Sequence, residues 1–172
     1  LTITPLNDQP TSTATSISFN EDSTHVFTVG DFGFSDSDSG DALKEVYIST
    51  INYQSQNGVL KHDSSPISLD ALISVADINN GKLVFVPAAD ENGNTYATFN
   101  FTVKDDSVVT GESHTSTTYT MTIDVTAVND AQTATNLSAA ESFTEDASVF
   151  SLTDIVISDI DSATVTATLT LS

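Results

Sequence analysis

The chain has no cysteine, no tryptophan and no arginine, and its only basic side chains are four lysines and three histidines. Without cysteine it has neither disulfides nor thiolate metal ligands, so any metal chemistry falls to oxygen and imidazole. That composition suits a secreted protein that must stay unfolded during export. The scarce basic residues face 24 Asp plus Glu, giving a formal charge of −20. A surface of that sign repels phosphate backbones and anionic lipid headgroups, which makes nucleic acid and membrane surfaces poor partners. No apolar run reaches the length of a membrane span, and no basic-then-apolar leader is present. The expectation is an interior excerpt of something longer.

Catalytic signatures are missing as well. There is no His-Glu-x-x-His, no Gly-x-Ser-x-Gly elbow and no phosphate-cradling glycine loop. His62-Asp63-Ser64 is contiguous, whereas triads are assembled by the fold from separated residues. His25, His62 and His114 are scattered and read as ordinary strand or surface residues. The Gly-Gly-x-Gly-x-Asp nonapeptide of secreted calcium-binding toxins is also absent. An enzyme is not expected.

What the sequence does contain is acid in a recurring order. Asn7-Asp8 returns as Asn129-Asp130, Glu21-Asp22 as Glu145-Asp146, Asp31 as Asp154, and Asp36-Ser37-Asp38 as Asp159-Ile160-Asp161. Each second copy follows the first by about 123 residues, the mark of a tandem array. The expected units are residues 1–128, a complete repeat, and residues 129–172, the N-terminal portion of a second, incomplete one. A halophile-like solvated surface or a set of multivalent-cation sites would each account for so much acid. Recurrence at fixed positions favours the cation sites.

Between the acidic motifs the pattern is that of short strands. In Thr98–Val103 and again in Tyr119–Val125 the apolar side chains fall on odd positions, the period-two signature of strands with one buried face. This parity directs Phe99, Phe101, Val103, Met121, Ile123 and Val125 inward. Further strands are expected at Thr15–Phe19, His25–Val29, Leu43–Ser49, Val59–Lys61 and Lys82–Val86, with turns marked by Asn57-Gly58, Asn80-Gly81 and Asn92-Gly93. A short helical turn is expected around Leu69–Val75. About seven such strands in a unit of this length describe an all-β, immunoglobulin-like antiparallel sandwich.

Asp36-Ser37-Asp38-Ser39-Gly40-Asp41 alternates carboxylates with small residues, so several oxygens can converge on one hard cation. It is not an EF-hand, because counting from Asp36 places Tyr47 where that loop needs a bidentate Glu.

Taken together, Glu21-Asp22, Asp36-x-Asp38, Pro87-Ala88-Ala89-Asp90-Glu91-Asn92-Gly93, Phe101-Thr102-Val103-Lys104-Asp105-Asp106 and Val128-Asn129-Asp130 resemble the cadherin-like repeats of very large bacterial surface adhesins, commonly exported by type I secretion. The resemblance implies calcium between consecutive domains. Carried onto this chain, one junction would use Glu21, Asp90 and Asn92 from the first unit, Asn129 and Asp130 from the linker, and Asp159 and Asp161 from the second. Asn92 stands where the family pattern often has Glu. At the other end Asn7, Asp8, Asp36, Asp38 and Asp105 would form the matching half of a second junction, whose other half is absent from this sequence. The resemblance further implies a calcium-rigidified extender of a cell-surface adhesin, extracellular, with neighbouring repeats as partners and a host-cell or biofilm ligand engaged through other domains.

The competing expectation is a ligand-binding module for carbohydrate or peptide in the same kind of adhesin. With no Trp, its aromatic platforms would have to be Tyr47, Tyr53 or Tyr96, since Tyr119 alternates with Met121 and Ile123 as a core residue does.

Overall fold

A computed structural model describes residues 6–13, 16–53, 58–136, 145 and 155–168 of the chain. Thr15, Asn57, Asp146 and Asp154 lie outside the described residues. The chain divides into two units, Leu1–Ala127 and Val128–Ser172.

The first unit is all-β. Five strands form one sheet in the order β1 (Ser16–Asn20), β9 (Tyr119–Thr126), β8 (Gly93–Asp105), β3 (Leu43–Tyr53) and β6 (Ala71–Ser74). Four form the other, in the order β2 (His25–Val26), β7 (Leu83–Val86), β4 (Val59–His62) and β5 (Ser65–Pro66). The buried apolar side chains of both sheets belong to one cluster. Rings of the two sheets meet edge to face within it: Phe85 on β7 meets Tyr96 on β8 at 6.0 Å, and Phe27, just past β2, meets Phe99 on β8 at 5.7 Å. Such pairs add to the burial energy and restrict how the two layers can slide.

The parity read from the sequence describes β8 and β9 well. Phe99, Phe101, Val103, Met121, Ile123 and Val125 are all buried, and their neighbours Thr98, Asn100, Thr102, Thr120 and Thr122 face outward. Three expectations need correcting. The pairing is not antiparallel throughout, because β1 runs parallel to β9, with Ile17 beside Ile123 and Phe19 beside Val125. Roughly a hundred residues separate the two strands, so no hairpin forces them to be antiparallel. The segment His25–Val29 stops being a strand after Val26. The Thr28 backbone N–H donates to the Asp31 carboxylate at 2.7 Å, and Val29–Phe32 winds into a 3-10 helix that buries Phe32. Finally, Ala71–Ser74 is an edge strand rather than helical, and the helix α1 (Val75–Asn79) begins after it. Ser74 sets that boundary, because its hydroxyl accepts from the Asp77 N–H as an N-cap.

In the second unit two strands pair antiparallel, β10 (Thr133–Thr135) with β11 (Val156–Ser158).

Phe101 is fully buried and touches Phe32, Phe99 and Tyr119. Phe101→Ala is expected to cost on the order of 3–5 kcal/mol in chemical denaturation. A loss below about 1 kcal/mol would mean that this ring is not part of a close-packed interior.

Candidate metal centre

One end of the first unit gathers five of the residues singled out from the sequence. Asp105 closes strand β8, and its side chain is buried. Its Oδ1 receives the Ser107 N–H at 3.1 Å and lies 2.9 Å from His114 Nδ1. The backbone N–H of neighbouring Asp106 donates to the Ala42 carbonyl, and the Asp106 carboxylate accepts the Ala42 N–H, which ties the end of β8 to the acidic loop before β3. In that loop Asp36 Oδ1 accepts the Asp38 N–H at 2.8 Å, the two-residue turn for which Asp is suited. Asp38 in turn accepts the Asp8 N–H at 2.6 Å, and the Ser37 hydroxyl donates to the Asp8 carboxylate at 3.0 Å. Carboxylate oxygens of Asp36, Asp38 and Asp41 all lie within 4.8 Å of one another.

Asn7 is held against this end by backbone contacts. Its N–H donates to the Thr110 carbonyl, its carbonyl accepts from Glu112, and it forms a bridge with Gly111. Only glycine permits that approach: a Cβ on Gly111 would stand 2.3 Å from the Asn7 nitrogen and 2.4 Å from its oxygen. Asn7 is 1% exposed, and its Nδ2 donates to the Asp8 carbonyl.

At this end three oxygens remain for which the described residues supply no donor. Asn7 Oδ1, Asp36 Oδ2 and Asp105 Oδ2 are buried and have no hydrogen-bond partner among the described residues. An acceptor withdrawn from water and left unmatched costs free energy, and a carboxylate costs more than an amide. The donors present are all oxygen, in an acid-rich setting, which is the chemistry of a hard divalent cation. Asp36, Asp38 and Asp41, whose oxygens converge, are the groups that could hold one, and Asn7 and Asp105 carry unmatched oxygens at the same end.

The opposite end of β8 carries the second set. Glu21 is 2% exposed, its N–H donates to the Thr126 carbonyl, and its Oε2 accepts from Asn92 Nδ2 at 3.1 Å. The Asp90 N–H donates to Asp22 Oδ1 at 3.2 Å. Asp22 and Asp90 both adopt the left-handed backbone conformation, with φ of 59° and 58°. Asp tolerates that region better than most residues because its short side chain bonds locally. Glu21, Asp90 and Asn92 are thus brought to one place.

In the second unit the expected residues also meet. Asn129 Nδ2 donates to the Asp130 carbonyl at 2.8 Å, the Asp130 N–H donates to Asp161 Oδ2, and the Asp161 N–H donates to Asp159 Oδ1 at 3.0 Å. These bonds repeat, residue for residue, the Asn7–Asp8–Asp38–Asp36 chain of the first unit. The strand pairing repeats too: Thr133 opposes Ser158 as Thr11 opposes Ser35.

The ligand sets implied by the resemblance name most of these residues but leave out Asp41 and Asp22, which the acidic motifs contain, and His114 and Gly111. Asp41 had a signal, since it ends the run that begins Asp36-x-Asp38. His114 and Gly111 had none, because each matters only through a neighbour distant in sequence. Among the proposed sugar platforms, Tyr96 is buried, and its hydroxyl accepts from Ala88 N–H and donates to Glu91. The Tyr53 hydroxyl accepts from the Leu60 N–H. Tyr47 donates to Asp70, and that carboxylate raises the Tyr47 phenol above its ordinary value.

No family model, no curated protein and no solved structure matches this chain.

Asp41 adds a third carboxylate to a crowded group without a hydrogen bond of the kind that holds Asp36 and Asp38. In chelator, Asp41→Asn should therefore stabilise the protein by on the order of 0.5 kcal/mol through relief of like-charge repulsion. In millimolar calcium the same variant should gain less than the wild type does. Thermal melts in both media test this, and equal calcium-induced shifts for the two proteins would remove Asp41 from the ligand set.

Proposed function

We propose that this chain is a calcium-rigidified spacer from a large bacterial cell-surface adhesin, built of tandem immunoglobulin/cadherin-like β-sandwich repeats. Residues 1–128 form one repeat and residues 129–172 begin the next. Such a spacer works outside the cell and positions other domains against a host or biofilm surface.

The observation that carries the proposal is the trio of buried oxygens without donors, Asn7 Oδ1, Asp36 Oδ2 and Asp105 Oδ2, at the acidic end of the first unit. Two further observations support it. The two units make the same hydrogen bonds at corresponding Asn-Asp and Asp-x-Asp positions. Nine strands in two sheets share one core, the arrangement that a sandwich requires.

The physics of the proposed mechanism is simple. Two carboxylates about 4 Å apart repel by roughly 4 kcal/mol at an effective dielectric of 20, so a metal-free cluster pushes its loops apart. A divalent cation reverses the sign of that interaction. Where acidic ends of consecutive repeats meet, a flexible string becomes a stiff rod. Extracellular calcium modules bind at about 10⁻⁴–10⁻³ M, which matches calcium outside cells rather than inside them. Low affinity also means that chelation should loosen the string before it unfolds any repeat.

Small-angle scattering on a protein of two complete repeats is the test. The maximum dimension is expected to be larger and better defined in millimolar calcium than in chelator, and Asp130→Ala should abolish the difference while the first repeat stays folded. An unchanged maximum dimension in the wild type would remove the case for a calcium-set rod.

A further inference from the structure

Within the reading of Glu21, Asp90 and Asn92 as cation ligands, one residue has the wrong charge. Asn92 is an exposed amide set among carboxylates, with Glu21 accepting its Nδ2 proton at 3.1 Å and Asp90 two residues away. It is also followed by Gly93. An asparagine before glycine is the arrangement in which the following backbone nitrogen most readily reaches the side-chain carbonyl carbon, because no Cβ obstructs the approach and the glycine backbone is free to turn.

Two described Asn-Gly pairs invite comparison. At Asn80-Gly81 the attacking nitrogen is already engaged, since the Gly81 N–H donates to the Ile78 carbonyl at 2.9 Å at the end of helix α1. Gly93 stands in a looser setting. Gly93 pairs with Val125, but the β8–β9 ladder slips between Gly93 and Ala97, so this pair is separated from the continuous pairing that starts at Ala97–Ile123. No heavy atom of the described residues comes within 4 Å of where a Cβ on Gly93 would stand.

We propose that Asn92-Gly93 is a self-modifying site, at which Asn92 deamidates spontaneously and adds a carboxylate beside Glu21. The Gly93 nitrogen attacks Asn92 Cγ. A bond forms between them, the Cγ–Nδ2 bond breaks, and ammonia leaves with the proton that the Gly93 nitrogen loses. Water then opens the resulting succinimide. Cleavage of the new N–Cγ bond gives aspartate, and cleavage at the main-chain carbonyl gives isoaspartate. Nothing is oxidised or reduced, and water is the only co-reactant.

The electrostatic consequence follows from the neighbours. Asn92 now donates a proton to Glu21, and an aspartate in its place donates none. Converted protein therefore carries one more charge in a crowded acidic group, which is unfavourable without a cation and favourable with one. Ageing would tighten calcium binding at this end and make the metal-free form less stable.

The experiment has two independent readouts. Full-length protein is incubated at mildly alkaline pH, and its peptides are mapped for the one-dalton gain. The peptide holding Asn92 is expected to convert faster than the one holding Asn80, and Asn92→Gln, which keeps the amide but lengthens the ring to be closed, is expected to stop it. Conversion at Asn80 but not at Asn92 would overturn the modification. In parallel, calorimetric calcium titration compares freshly purified wild type with Asn92→Asp, which should bind severalfold more tightly. Equal binding by the two would overturn the electrostatic role while leaving the cation reading in place. If neither binds calcium, the cation reading falls and takes that role with it, and the mass map alone decides whether Asn92 converts.

Discussion

Repulsion between like charges sets the terms for this protein. A chain of formal charge −20 with four lysines cannot neutralise its carboxylates internally, so it has to space them, solvate them or give them something to bind. A few are paired, as Asp77 is with Lys82 and Glu45 with Lys104. At the ends of the first unit others are gathered instead. Backbone N–H groups hold one oxygen each of Asp36, Asp38 and Asp105, which fixes the side chains, while the second oxygens of Asp36 and Asp105 find no donor among the described residues. Burial of Asn7 and Asp105 makes that state costly for the protein alone.

The scaffold that maintains this crowding is strand β8. It runs from Gly93 to Asp105, a span on the order of 40 Å at about 3.3 Å per residue. Asn92 precedes its first residue, and Asp105 is its last. Between the ends, Tyr96, Phe99 and Phe101 pack into rings of the facing sheet and its flanking turn, so the strand is clamped along its length. A core of this kind resists compression and transmits strain between the two acidic ends.

Much of this was legible in the amino-acid order, for reasons that differ by element. The parity of β8 and β9 is readable because one face of each meets the core, and slipping either by one residue would turn Phe101 or Ile123 to solvent. The parallel pairing of β1 with β9 is not readable, since nothing near Ile17 specifies a partner a hundred residues away. Strand β6 was hidden by helix-compatible residues, and only the Ser74–Asp77 cap shows where the helix begins. Recurrence exposed the acidic ligand candidates, because Asn129-Asp130 and Asp159-x-Asp161 repeat the earlier pair. The partners that complete the first-unit set, Gly111 beneath Asn7 and His114 against Asp105, are products of tertiary approach and leave no local trace.

Calcium anomalous diffraction from crystals of this chain grown in millimolar calcium tests the central claim most directly. The account predicts a peak at about 2.3–2.6 Å from Asn7 Oδ1 and from carboxylate oxygens of Asp36 and Asp105. Crystals at the same calcium concentration with no peak there, and with those three oxygens bonded to water or to protein donors, would contradict it.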